Sequence, residues 1–261
     1  MLHLLARETR AARLADRLAA GREDVRQRIT AHDYGRAIEL PDAALAPGAW
    51  VFLDLDRLDD DSAFAVMQLR ARLARRPGVA CWNHPTRTLH RFELLRLLHD
   101  AGAESGDVYR LEDRRPPRRW PVFLHDEFQP LPALPELLDG PQALVRAVQR
   151  LGREGRYRPG ILIREVPGLE RAAGEPVCVR LVRGRPFVDP AGRERLTQAG
   201  AAVPAGLLRL LTDARVAVGS LLLLPTPGVA TILDVGTDPL LFALGPEPGP
   251  ALDALLALDA G

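Results

Sequence analysis

The sequence predicts a mixed α/β and α+β protein: a small parallel-sheet unit flanked by helices, followed by two α+β lobes. Three observations predict it. Short apolar runs alternate with amphipathic helical stretches up to about Ala103. A connector, Arg114-Arg-Pro-Pro-Arg-Arg119, then interrupts the alternation. Beyond it the strands follow one another closely, with a hairpin-like turn at Pro225-Thr-Pro-Gly228.

Residues 9–20 carry Ala12, Leu14, Ala15, Leu18 and Ala19 at helical spacing, and Gly21 stops the run. Residues 50–54 form a buried-strand pattern. A helix over 62–75 follows, with Phe64, Met67, Leu69 and Leu73 apolar and Pro77-Gly78 ending it. Residues 79–82 read as a second strand, and 86–100 as a helix with Leu89, Phe92, Leu95 and Leu98 on one face and Gly102 past its end. Asn83-His84-Pro85 reads as punctuation before that helix, with Asn83 or Thr86 capping it. Strands are expected at 122–124, 161–166 and 176–182, the last turning at Arg183-Gly184, with a helix over 141–151. The last third reads as a helix over 205–211, strands over 216–224 and 229–234, and a C-terminal helix. The expected division is an N-terminal α/β domain over 1–113 and a second domain over 114–261. The latter has a lid-like lobe at about 119–165 and a C-terminal lobe at about 166–261.

At 261 residues the chain can bury a substantial core. Its 35 basic residues, all arginine, balance 34 acidic ones. The absence of lysine reads as the bias of a GC-rich genome. A net charge of +1 without a basic block argues against a dedicated nucleic-acid binder. No apolar run reaches the roughly 18–20 residues that span a bilayer. The N-terminus acquires charge too early for a signal peptide. Cys81 and Cys178 lie far apart in apolar contexts and read as buried reduced thiols. A soluble, cytoplasmic protein is expected, with no membrane or nucleic-acid partner.

Three runs carry the functional signal: Trp120-Pro-Val-Phe-Leu-His-Asp-Glu127, Ile161-Leu-Ile-Arg-Glu-Val166 and Thr231-Ile-Leu-Asp-Val-Gly-Thr-Asp-Pro239. Their order and spacing resemble the nucleotide-binding half of the ATP-grasp superfamily. Phe52-Leu-Asp-Leu-Asp-Arg-Leu58, Trp82-Asn-His-Pro-Thr-Arg87, Arg91-Phe-Glu-Leu-Leu95 and Val108-Tyr-Arg110 look like the front of a bacterial branch of it. The resemblance covers roughly residues 50–130 and, more loosely, 160–240. It implies a small pre-ATP-grasp-like domain and a two-lobed fold that grips ATP and Mg²⁺ and activates a carboxylate as an acyl-phosphate. The implied reaction is carboxylate–amine or carboxylate–thiol ligation on a small-molecule carboxylate or a peptide, with a protein partner or homo-oligomer left open.

The resemblance also assigns residues. His125 stands where a lysine or arginine usually holds phosphate. Arg164, Glu165 and the following amide of Val166 match the strand that meets the base. Arg180 matches the basic residue that reaches the phosphates, and would be the catalytic one. Asp234 and Asp238 match the metal strand. Arg87 and Arg91 are the candidates for an acidic substrate.

Several positions depart from the family pattern. Residues i and i+2 of a strand share a face, so a Glu-x-Asn pair can hold one metal. Here that pair is Asp234 and Gly236, and the earlier aspartate falls near Gly219-Ser220. Asp234 with Asp238 would be a thin site, completed by phosphates and water. On the anion side, each lost charge at about 4 Å forfeits ~4 kcal/mol of gross attraction at an effective dielectric near 20. Arg180 and neighbouring guanidiniums could compensate. No glycine-rich loop follows the first strand, where Gln129-Pro-Leu-Pro-Ala-Leu-Pro stands.

Plainer roles remain open for each residue. Asp234 and Asp238 also fit strand-end and turn positions. His125 fits a strand end, Glu165 a surface pair with Arg164 or Arg180, and Arg87 with Arg91 a solvated helical stripe. Asp54-x-Asp56 after an apolar strand also resembles the haloacid-dehalogenase nucleophile strand, although Arg57-Leu58 follow where that family has Gly-Thr. A bare Asp-x-Asp also suggests a glycosyltransferase metal site. The main alternative is a pseudo-enzyme of the same fold that binds or scaffolds without turnover. The lysine-free clamp, the missing metal ligands and a short section at 187–202 favour it.

Overall fold

The computed structural model describes residues 1–7, 10–11, 14, 23–103, 106–129, 136–166, 169, 175–203, 205–237 and 249–260. The helix expected over 9–20 lies largely outside them. Strands β1 (Leu2–Ala6), β2 (Ile29–Asp33), β3 (Gly48–Phe52) and β4 (Val79–Trp82) form a parallel sheet in the order β2-β1-β3-β4. β1 is buried at every position, as a central parallel strand covered on both faces must be. The sequence reading places no strand at 2–6 or 29–33, because neither run shows the period of two that marks a half-buried strand.

Helix α1 (Glu23–Arg26) precedes β2, and α2 (Tyr34–Glu39) follows it, with Asp33 accepting from the Arg36 amide at its start. Helix α3 (Asp60–Ala74) starts two residues before the expected position, because Asp59 caps it by accepting from the Ser62 amide at 2.8 Å. Helix α4 (Arg91–Asp100) starts five residues later than expected. Residues 84–88 form a turn instead, in which the Arg87 and Thr88 amides both donate to the His84 carbonyl. Arg87 therefore lies outside the helix that carries Arg91.

Two antiparallel sheets follow. Strands β5 (Val108–Arg110), β6 (Val122–Asp126) and β7 (Ile161–Glu165) pair in the order β5-β7-β6, with α5 (Pro141–Arg153) between β6 and β7. β5 precedes residue 113 and pairs with β7 beyond it. Strands β8 (Val177–Val182), β9 (Arg185–Val188), β10 (Val218–Thr226) and β11 (Val229–Gly236) pair in the order β11-β10-β8-β9. Helices α6 (Pro190–Gln198) and α7 (Ala205–Asp213) lie between β9 and β10 in sequence.

The cores join these units. Leu94, Leu95 and Leu98 of α4 share one cluster with Val179 and Leu181 of β8, Leu221 and Leu223 of β10, and Leu207 and Leu211 of α7. Helix α8 (Gly249–Leu256) returns to the first sheet, where Leu252, Leu255 and Leu256 pack with Leu2, Leu4, Val51 and Leu53. Each such fully buried leucine contributes about 1.5–3 kcal/mol. The parallel sheet is thereby held against the β8–β10 sheet, with the carboxyl end of β3 facing the end of β11. Among the described residues no helix is long and apolar enough to cross a membrane.

Candidate functional site

The site forms where β3 ends. Asp54 takes a left-handed conformation (φ 58°), and a single 3₁₀ turn over Leu55–Arg57 follows. Thr237, just past β11, clasps this turn from the other sheet. Its carbonyl accepts the Asp54 amide and its hydroxyl the Leu55 amide, each at 2.8 Å. In return its own amide and hydroxyl donate to Asp56 Oδ1, both at 2.7 Å. Asp54, Asp56 and Arg57 are consequently buried against the strand that carries Asp234.

Arg91, at the start of α4, grips Asp234 with Nε 3.0 Å from Oδ1 and Nη2 3.3 Å from Oδ2. Arg57 approaches the same carboxylate at 3.5 Å. Both guanidiniums also lie 3.6 Å from Asp56 Oδ2, and Arg57 is 3.9 Å from Asp54. Arg10 reaches Asp54 at 2.9 Å. Among the described residues three carboxylates thus face three guanidiniums, and this opposition of charge is what allows so many to be buried together. Burial alone would raise the Asp56 carboxyl. The charges of Arg57 and Arg91 and the two Thr237 hydrogen bonds outweigh that and hold it below the usual carboxylate range.

His125 closes the cluster on the β6 side. Its Nε2 lies 3.0 Å from Arg91 Nη1. A guanidinium can only donate, so Nε2 accepts and the proton sits on Nδ1. Burial, then the charges of Arg91, Arg164 and Arg57, push its pKa well below the ordinary histidine value. The ring is neutral at physiological pH.

The facing layers of the two antiparallel sheets are in contact. Phe123 of β6, Val166, Leu169, Cys178 of β8, Leu222 and Leu224 of β10 and Leu233 of β11 form one buried cluster between them. Arg164 crosses the same interface, donating to the carbonyls of Ile232 (2.8 Å) and Leu233 while its guanidinium lies 5.5 Å from the centre of the Phe123 ring.

Comparison by sequence yields nothing: no family model and no curated protein matches the chain. Comparison by structure matches it along almost its whole length. A D-alanine–D-alanine ligase from Bacillus anthracis superposes with a TM-score of 0.59 at 11% identity, over 99% of this chain and 95% of that one. A RimK-domain ATP-grasp protein from Sphaerobacter thermophilus gives 0.54 at 18% identity, over 100% and 99%. The ATP-grasp ligase PsnB, in a complex with a minimal precursor, Mg and ADP, gives 0.54 at 14% identity, over 100% and 98%. This chain has the ATP-grasp fold.

Within the ATP-grasp fold, only some of the residues singled out in the sequence come together. His125 and Asp234 are joined through Arg91. Arg180 shares a sheet face with Asp234, since Arg180 and Gly236 both pair with Ser220, and Asp234 lies two residues from Gly236. Glu165 does not join them. It shares the outer face of β7 with Ile163, where Oε1 accepts the Arg118 amide at 2.7 Å, while its neighbour Arg164 points inward. The Val166 amide, expected to meet a nucleotide base, donates to the Pro121 carbonyl at 3.0 Å. Arg87 is exposed and Arg91 fully buried, so the two do not form one anion site. Asp238 lies outside the described residues.

The described residues do not fit the Mg²⁺ that ATP-grasp resemblance implies. A magnesium site needs oxygen ligands in an octahedron. Asp234 has two cations against it instead, and Gly236 offers no side chain. Among the described residues no three His, Cys, Asp or Glu side chains are grouped to hold a metal. Sequence reasoning placed Asp54, Asp56 and Arg57 in a motif of the resemblance, Phe52–Leu58, without giving them a role in the site, and it missed Arg10 and Thr237. The available signal was general: in open α/β sheets the functional crevice lies outside the carboxyl ends of the strands, where Asp54 to Arg57 stand.

Proposed function

We propose that this chain is a non-catalytic protein of the ATP-grasp fold, a binding or scaffold module rather than a working ligase. One observation carries the reading. The carboxylate on the strand that resembles the metal strand is held by Arg91 through both oxygens and approached by Arg57, so two cations already lie against an oxygen pair that a metal ion would have to share. The packed cluster between the sheets and the neutral His125 support the same reading. So does the lack of a permanent cation at the strand position of His125, where the resemblance expects the phosphate clamp.

The ligase reading retains one observation in its favour, the common face of Arg180 and Asp234. On that reading ATP and Mg²⁺ would be cofactors, Arg180 would meet phosphate, and a small carboxylate or peptide would be the substrate. Titration with Mg·ATP separates the two. The binding-module reading expects no magnesium-dependent rise in melting temperature at millimolar Mg·ATP and no release of ADP. A magnesium-dependent stabilisation abolished by Arg180→Gln, or steady ADP release, would overturn it.

A further inference from the structure

A second polar region lies at the outer edge of the parallel sheet, away from the Asp234 cluster. A cavity of about 390 Å³ opens there beside the carboxyl end of β4. Four arginines line it, each from a different segment: Arg70 from α3, Arg87 from the turn before α4, Arg183 from the β8–β9 turn and Arg215 from the residues after α7. Among the described residues none of the four has a carboxylate partner, and the Arg70 Nε is buried without a hydrogen bond. Several arginines elsewhere do pair with carboxylates, among them Arg72 with Asp42, Arg96 with Asp100 and Asp107, and Arg158 with Asp126.

The walls of the cavity are fixed. Asn83 makes four hydrogen bonds of 2.8–2.9 Å, from its side-chain amide to Phe52, Val218 and Ala217 backbone groups. Arg183 lies 4.6 Å above the centre of the Trp82 ring, and the Trp82 indole N–H is buried with no acceptor. Asn83, Arg183 and Arg215 all have positive φ (61°, 52° and 62°). Left-handed backbone is unfavourable for residues with a Cβ, and such positions cluster at ligand sites. Four like charges line one cavity, and although Arg87, Arg183 and Arg215 are exposed and partly screened, an anion among them relieves their repulsion.

We propose that this cavity binds a phosphorylated small molecule, with phosphate among the four guanidiniums and the organic part against Trp82. A carboxylate has two oxygens and satisfies one guanidinium fork. A phosphate presents three acceptor oxygens and about two negative charges at neutral pH, matching several forks at once. The volume suits a ligand of metabolite size. The inference goes beyond the reading of the Asp234 cluster and stands whether or not that cluster is catalytic.

The test is calorimetric titration at low ionic strength with inorganic phosphate, pyrophosphate, phenyl phosphate and, as the carboxylate control, citrate. Phosphate and pyrophosphate should bind saturably in the millimolar range or below, and phenyl phosphate more tightly than phosphate. Arg70→Gln and Arg215→Gln should each weaken pyrophosphate at least tenfold. Arg183→Gln, on an exposed turn, provides a further variant if either fails to fold. Trp82→Leu should abolish the preference for phenyl phosphate but leave phosphate binding in place. Arg36→Gln, beyond the opposite edge of the sheet, should change nothing. No binding of any phosphate at millimolar concentration, citrate binding as tightly as pyrophosphate, or equal affinity in the arginine variants would each overturn the proposal. All titrations omit magnesium, so ATP turnover at the Asp234 cluster would neither imitate nor mask the result.

Discussion

A Cβ placed on Gly236 would stand 2.3 Å from Asp56 Oδ2. The carboxylate cannot withdraw cheaply, because Thr237 holds its other oxygen with two hydrogen bonds of 2.7 Å. Glycine at 236 is therefore a packing requirement of the Asp54–Arg57 turn. The first prediction concerns Gly236→Asn, which restores the residue type found at this point in the resembling motif. It should destabilise by about 3 kcal/mol, the upper range for overpacking a closed site, rather than create a metal ligand. Urea unfolding with and without magnesium measures both effects. Unchanged stability, or a gain that needs magnesium, contradicts the geometry.

The contact between Arg91 and Asp234 gives the second prediction. Removing one partner leaves the other charge buried, at a cost of about 3–5 kcal/mol. Arg91→Met should therefore lower the melting temperature by roughly 10 °C, at about 2–4 °C per kcal/mol for a chain of this size. Arg91→Met combined with Asp234→Leu should lose clearly less than the sum of the two single changes. Strict additivity in that double-mutant cycle would mean that the pair does not interact as its distances imply.

The third prediction follows from protonation. His125 has a folded pKa well below its unfolded value near 6.5, so at mildly acidic pH the unfolded chain takes up a proton that the folded chain refuses. Stability must then fall as pH drops below about 6.5, by at most about 1.4 kcal/mol per pH unit from this group. His32, lowered to about 4 by burial and by His3, acts in the same direction between its two values. Asp56 adds a loss only at lower pH, below its unfolded value near 3.8, where its depressed carboxyl protonates. His125→Gln keeps an acceptor for Arg91 and should flatten the slope of unfolding free energy between pH 6.5 and 5 by about one proton. An identical slope in the variant rules out a neutral, buried His125.

These residues also mark how far the sequence could be read. Strands β6 to β8 and the β10–β11 pair were legible because short apolar runs bounded by turn residues carry a local signal, and their order pointed to the fold. β1 and β2 were not, because a central parallel strand such as Leu2–Ala6 has no alternation to display. The ion cluster was illegible for a different reason. Nothing local couples Arg57 or Arg91 to Asp234, since 177 and 143 positions separate them. The placement of Glu165 away from Asp234 was not legible, because the choice of face on β7 depends on strand pairing, and a shift of one residue reverses it. The α4 start was misread because the apolar spacing of Leu89 and Phe92 continues through a turn that is not helical.

Asn83 yields the last prediction. It was expected to punctuate a helix start, and instead joins two sheets. Its Nδ2 donates to the Phe52 carbonyl of β3 and the Val218 carbonyl of β10, and its Oδ1 accepts from the amides of Ala217 and Val218. All four partners are backbone groups that lose their hydrogen bonds if the side chain goes, each worth about 1 kcal/mol. Asn83→Ala should therefore cost about 4 kcal/mol, plus roughly 1 kcal/mol for placing alanine at φ 61°. Asn83→Gly removes the backbone term and keeps the hydrogen-bond loss, so it should fall slightly short of alanine. Asn83→Asp keeps the shape but turns an anionic oxygen toward two carbonyls, and should be at least as damaging as alanine at pH 7. Urea midpoints for the three variants give the order directly. Were Asn83→Gly to restore full stability, backbone strain alone would explain this residue, and the joint between β3 and β10 would have to be held by the apolar cores.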